Sequence, residues 1–155
     1  MSGADVLSLD GAGSPPAAPL VARRFVPTEI DLFMFCAATW NTHRIHYDRD
    51  HARAEGYRDL VVPGPLQAAR LAQMLAEFTA PYDGRLASMS VRHHASLYCN
   101  EPMELRADLL AVEEAGIRVS VAATGPDGVV ATSGTAVVAL VRVLALVREL
   151  RSGVA

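Results

Sequence analysis

Cysteine is scarce in this sequence. Only Cys36 and Cys99 are present, in neither a C-x-x-C pair nor a zinc-like spacing. That excludes a disulfide framework, and both are expected to be reduced, packed thiols of a cytoplasmic protein. An excess of positive charge is also missing: 14 basic against 17 acidic residues leave a net charge of −3. A nucleic-acid binder normally carries a basic stripe, so no such partner is expected. Lysine is absent and every basic residue is arginine, a bias that suits anion recognition and also follows from GC-rich coding. No uncharged apolar run reaches the length of a membrane span. The greasiest stretch, Ala136 to Val147, is broken by Arg142. The N-terminus has no positive patch followed by an apolar core, so no signal peptide is expected.

What remains is a chain of 155 residues that is 51% hydrophobic, enough for one domain with a sizeable core. Residues 1–20, rich in Gly, Ala, Pro and Ser, are expected to be a flexible tail. The single domain is expected to span 21–155. Pro27 and Thr28 open a short helix, with Asp31 completing a variant capping box and Ile30, Phe33 and Ala37 on one face. An irregular polar stretch, 39–48, follows. Asp48 caps a second short helix that ends at Gly56. After Pro63-Gly64-Pro65 the longest helical pattern covers about 66–79, with Gln67, Arg70, Gln73 and Glu77 on a narrow polar stripe. A helix so widely apolar is a buried one.

From residue 86 the pattern becomes extended, predicting strands at 87–97, 103–112, 116–124 and 129–141. Turns are expected at 113–116 and at Gly125-Pro126-Asp127-Gly128, and a short terminal helix at 144–151. Strands joined by short turns are antiparallel. The fold class is α+β, with a sheet wrapped around a central helix as one compact solution.

Chemistry-bearing side chains concentrate at 39–48, where Asn41, His43 and His46 lie within six positions on a segment beside the buried helix. Gly64 stands before the long helix, whose first N–H groups point outward and favour negative charge. An enolate oxygen can be held at such a point. Pro63 and Pro65 have no N–H, so Gly64 or a residue from Leu66 onward must donate. Asp48 is read first as a helix cap and second as a support for His46. His51 reads as solvated surface. His93 and His94 are adjacent on a strand, so they point to opposite faces and cannot both join one site. No carboxylate or thiolate completes a metal-ligand spacing with the histidines, so no metal is expected. Arg44, Arg85 and Arg92 stay open as partners for a substrate carboxylate or phosphates.

The runs T-W-N-T-H-R-I-H-Y-D-R-D-H-A and G-Y-R-D-L-V-V-P-G-P-L-Q resemble the MaoC-like hotdog hydratases. Within them the sequence is most similar to the branch of the mesaconyl-CoA hydratases and 3-hydroxyacyl-thioester dehydratases. The likeness extends more loosely over 21–141. The usual pattern there is Asp-x-Asn-Pro-x-His, then His-Gly at the helix start. Aligned on the last histidine, His46 takes the catalytic position, Asn41 stands where most relatives have Asp, His43 at the Asn and Arg44 at the Pro. Gly64 matches the glycine whose N–H binds the thioester carbonyl, and Pro63 replaces the histidine before it.

The resemblance implies a hotdog fold and the reversible hydration of an enoyl thioester on CoA or acyl carrier protein, with no cofactor. His46 would act as general acid and base. Asn41, an amide that cannot act as a base, would orient water, aided by His43. Gly64 and Leu66 would form the oxyanion hole, with Arg44 and Asp48 in support. Relatives of the mesaconyl type are commonly fused hotdog pairs, and this chain resembles the C-terminal, catalytic half. A homodimer, or a heteromer with a second hotdog subunit, is therefore expected. Two rival readings are a non-catalytic subunit of a heteromeric hydratase and a hotdog thioesterase. The thioesterase would need a carboxylate on the central helix, where only Glu77, near the far end, is available.

Overall fold

The computed structural model describes residues 18–152; nearly all of the expected tail, 1–17, lies outside them. Nine regular elements follow in the order β1 (Val21–Phe25), α1 (Glu29–Thr39), α2 (Arg49–Ala54), α3 (Gly64–Thr79), β2 (Gly84–His93), β3 (Met103–Glu113), β4 (Gly116–Thr124), β5 (Val130–Leu140) and α4 (Val143–Ser152), with short 3-10 turns at Arg44–His46 and Ala80–Tyr82. The five strands form one antiparallel sheet in the order β1-β3-β4-β5-β2. Helix α3 packs against every strand of it. This is the α+β hotdog arrangement.

Strand alternation builds the core. Met103, Leu105 and Ala107 of β3, Ile117, Val119, Val121 and Ala123 of β4, and Ala136, Val138 and Leu140 of β5 are all buried. They recur at every second position, the period that puts side chains on one face of a strand. They meet Leu66, Leu71, Met74 and Leu75 of α3, and the cluster continues to Leu32, Leu97 and Leu146.

Several expectations need correction. The first long strand spans Gly84–His93, not 87–97. A bulge between Leu86 and Ser88 resets its register against β5, and the chain leaves the sheet after His93. Strand β1 was not anticipated, because five residues give too short an alternation; it is held by pairing with β3. Helix α3 begins at Gly64 rather than Leu66, with Pro65 inside its first turn, where a missing N–H costs nothing. Gln67 does not lie on a solvated stripe but is buried.

The cap of α1 forms as expected. The Thr28 side chain accepts from Asp31 N–H at 3.2 Å, and the Asp31 carboxylate accepts from Thr28 N–H at 2.9 Å. The face carrying Ile30, Phe33 and Ala37, however, looks outward, and Leu32 and Cys36 are the buried residues.

Candidate active site

The polar stretch after α1 is shaped by local bonds. Trp40 ends the helix in the left-handed conformation (φ 53°). Asn41 N–H returns to Cys36 O at 3.0 Å, and Asn41 Oδ1 accepts from His43 N–H at 3.2 Å. One lone pair of that amide oxygen is thereby used and one is left. The chain then tightens into the 3-10 turn that buries Ile45 and His46.

His46 is fixed from behind. Its Nδ1 lies 2.7 Å from Val61 O. A carbonyl only accepts, so Nδ1 carries the hydrogen and the neutral ring keeps its lone pair on Nε2. Val61 is itself pinned, with its N–H on Ile45 O at 3.0 Å and a bridge to Tyr98, while Val62 N–H bonds Leu97 O at 2.8 Å. Burial lowers the His46 pKa from the ordinary histidine value; the Val61 bond opposes this and nearby His43 adds to it. The two rings stand with centroids 5.9 Å apart. Burial thus favours the neutral ring, and the Val61 bond orients it.

The supporting residues separate into distinct tasks. Asp48 caps α2 by accepting from His51 N–H at 3.0 Å and receives the Arg44 guanidinium at 2.5 Å. Both contacts, the backbone one first, lower its carboxyl pKa. Arg44 is turned onto Asp48 rather than held free, and Asp48 makes no bond to His46. His51 pairs with Glu55 at 2.8 Å. Arg49 ties α2 to Glu29 and Asp59, each at 2.7 Å, which holds the loop against α1 and the segment before α3.

At the start of α3 the expected donor pair is reduced to one. Leu66 N–H is spent on Pro63 O at 3.0 Å, so Leu66 is corrected as an oxyanion donor. Gly64, the first helical residue, has no acceptor within the helix by position. Side-chain space at Gly64 is already taken, since a Cβ there would lie 2.8 Å from His93 Cδ2 and Nε2. His93, set aside from the sequence, is therefore at the helix mouth. Its partner in register is Thr132, which is 65 residues along the chain from Gln67 yet hydrogen-bonds its side chain in the fold. His94 points the other way, onto Ser133 at 2.8 Å.

A groove of about 430 Å³ opens on Asn41 and is lined by Phe33, Cys36, Ala37, Trp40 and Tyr47. A second opening joins Asn41 to His43, Arg44 and His51. Cys36 and Cys99 are buried with thiol pKa values raised by burial. Among the described residues no cluster of three or more His, Cys, Asp or Glu side chains is placed to hold a metal ion, and no helix is long and apolar enough to cross a membrane.

The model of the family described as hydroxyacyl-thioester dehydratase type 2 matches residues 11–99. A mesaconyl-C(4)-CoA hydratase of Chloroflexus aurantiacus is 39% identical over 122 residues, 78% of this chain and 41% of that protein. The chain spans between 21% and 41% of the length of the curated relatives it matches first. Among solved structures, the ChsH1-ChsH2 complex from Mycobacterium tuberculosis superposes with a TM-score of 0.72 at 20% identity, over 79% of this chain and 95% of that one. An (R)-hydratase from A. caviae involved in PHA biosynthesis gives 0.71 at 17% identity, over 82% and 99%.

Proposed function

This chain belongs to the hydroxyacyl-thioester dehydratase type 2 family, and on that premise we propose that it reversibly hydrates an enoyl thioester of CoA or acyl carrier protein. The observation that carries the reading is His46. Its Nδ1–H is locked on Val61 O at 2.7 Å, burial favours the neutral ring, and the free Nε2 is a base suited to water.

Hydration needs three things: a base for water at Cβ, a proton for Cα, and a counterpart for the enolate oxygen that forms between them. Neutral His46 takes the water proton. The Gly64 N–H and the α3 dipole stabilise the enolate at the thioester carbonyl. Asn41, with its remaining lone pair, orients the water. Arg44 is held by Asp48 and shapes the loop around His43. The groove beside Asn41, walled by Phe33, Trp40 and Tyr47, suits an apolar acyl chain. A cytosolic, multi-subunit state completes the reading, with a second copy or a second hotdog subunit covering what one chain leaves open.

The test is hydration of crotonyl-CoA, followed by loss of enoyl absorbance. His46→Ala is expected to lose roughly 10²–10⁴-fold in rate. Wild-type turnover in that variant would defeat the assignment.

A further inference from the structure

His93 is used by nothing so far described, yet it occupies the space at Gly64. Alternation along β2 after the bulge sets Met89, Val91 and His93 on the face that packs toward the core, and Met89 and Val91 contact it. His93 ends this row at the N-terminus of α3.

Its ring is held in one tautomer by a buried chain. Gln67 Nε2 donates to Val62 O at 3.5 Å, and Gln67 Oε1 accepts from the Thr132 hydroxyl at 2.7 Å. Thr132 has one hydroxyl hydrogen, and it is spent there. Toward His93, 2.8 Å away, the Thr132 oxygen can only accept. His93 Nδ1 therefore carries the hydrogen, and the Nε2 lone pair lies on the side that meets Gly64. Thr132 is fully buried and Gln67 nearly so, so the relay cannot be replaced freely by water.

His46 is arranged in the same way, Nδ1–H on a carbonyl and Nε2 free. The two rings stand at the two ends of one segment: His46 bonds Val61 O, and the His93 ring lies where a Cβ on Gly64 would fall. Those ends are three residues apart, at most about 11 Å when extended. Asn41 cannot act as a base, whereas the reaction moves one proton at Cα and another on the oxygen at Cβ.

We propose that His93 is the second acid/base of the site, serving Cα while His46 serves the oxygen at Cβ. This rests on the hydratase reading above. In the dehydration direction His93 Nε2 takes the Cα proton. The C–H electron pair moves into the thioester carbonyl, whose oxygen becomes an enolate held at Gly64 N–H. The enolate collapses to the Cα–Cβ double bond, the Cβ–O bond breaks, and imidazolium His46 protonates the leaving hydroxyl to release water. Hydration makes and breaks the same bonds in reverse.

The experiment compares wild type, His46→Ala, His93→Gln and Thr132→Val in the full chain. Crotonyl-CoA hydration is measured together with ring ¹⁵N spectra, with and without butyryl-CoA, which has no 3-hydroxyl to eliminate. His93→Gln is expected to lose about 10²–10⁴-fold in kcat with KM little changed. Thr132→Val is expected to move the His93 ring signals away from the Nδ1–H form and to lower kcat while remaining folded. Butyryl-CoA is expected to shift the His93 Nε2 signal in wild type and in His46→Ala. If His93→Gln keeps wild-type kcat while His46→Ala is inactive, the proposal is overturned and His46 does both jobs. If the wild type hydrates no enoyl thioester, the hydratase reading fails. An unmoved His93 signal with butyryl-CoA overturns the role of His93 whatever the activity.

Discussion

At the residue scale, burial of one imidazole sets the pH behaviour. His46 in the folded chain has a pKa below the ordinary value of about 6.5, and the proposed hydration needs it neutral. The acidic limb of kcat/KM for hydration is therefore expected below that value, with no further gain from His46 above it. Stability follows the same sign. Below about pH 6.5 the unfolded chain takes this proton before the folded one does. The contribution is thus full above that pH and is lost as pH falls through the folded pKa. Chemical denaturation from pH 7.5 to 5 should show a steeper loss in wild type than in His46→Ala, and equal slopes would refute the burial argument. Gly64→Ala sets a Cβ 2.8 Å from the His93 ring, which is tethered to Thr132. Either the tether or the helix start must yield, so this variant is expected to fold and to lose at least about tenfold in rate, as for a misplaced catalytic group. His46 and Gly64 were legible in the sequence because they fall inside contiguous motifs. His93 was not, because Gly64, His93 and Thr132 come from three distant parts of the chain, and only strand register and helix packing bring them together.

At the element scale, local chemistry was the better guide. Thr28 and Asp31 form their reciprocal cap, Asp48 caps α2, and Gly128 takes the positive φ of 80° that ends the β4–β5 turn. Each is decided by residues three or four positions apart. Thr28→Ala should cost about 1 kcal/mol of stability with little change in kcat, which thermal unfolding and the crotonyl-CoA assay would check together. Where tertiary contacts decide, the sequence pattern misled. Gln67 lies one turn from Leu71 and reads as part of a polar stripe with Arg70 and Gln73, yet it turns inward because Thr132 and Val62 satisfy its amide. The end of β2 slipped for a similar reason. His94 N–H and Ala95 N–H both turn onto Ala131 O, which takes the backbone out of the sheet while the side chains still alternate in type.

For the whole molecule, the surface of one chain is unfinished. Ile30, Phe33, Met34 and Trp40 are 58% to 86% exposed on the outer side of α1 and its C-terminus, and β2 is an open sheet edge. Apolar side chains so placed and an unpaired edge favour association. Light scattering of the purified chain is expected to find more than one copy, or a stable complex with a second hotdog subunit when the two are co-expressed. Phe33→Glu with Trp40→Glu should weaken whichever assembly forms; a wild-type chain that stays monomeric in both settings would sink this expectation. The sequence by itself determined the α+β class, the helix caps, the hairpin chemistry and the motif histidine, because those depend on neighbours within a few residues or on period alone. The tertiary structure decided which face of α1 is buried, which N–H at the α3 tip is free and which second histidine stands beside it. Those outcomes depend on the register between β2 and β5 and on how α3 seats against the sheet, which no local pattern encodes.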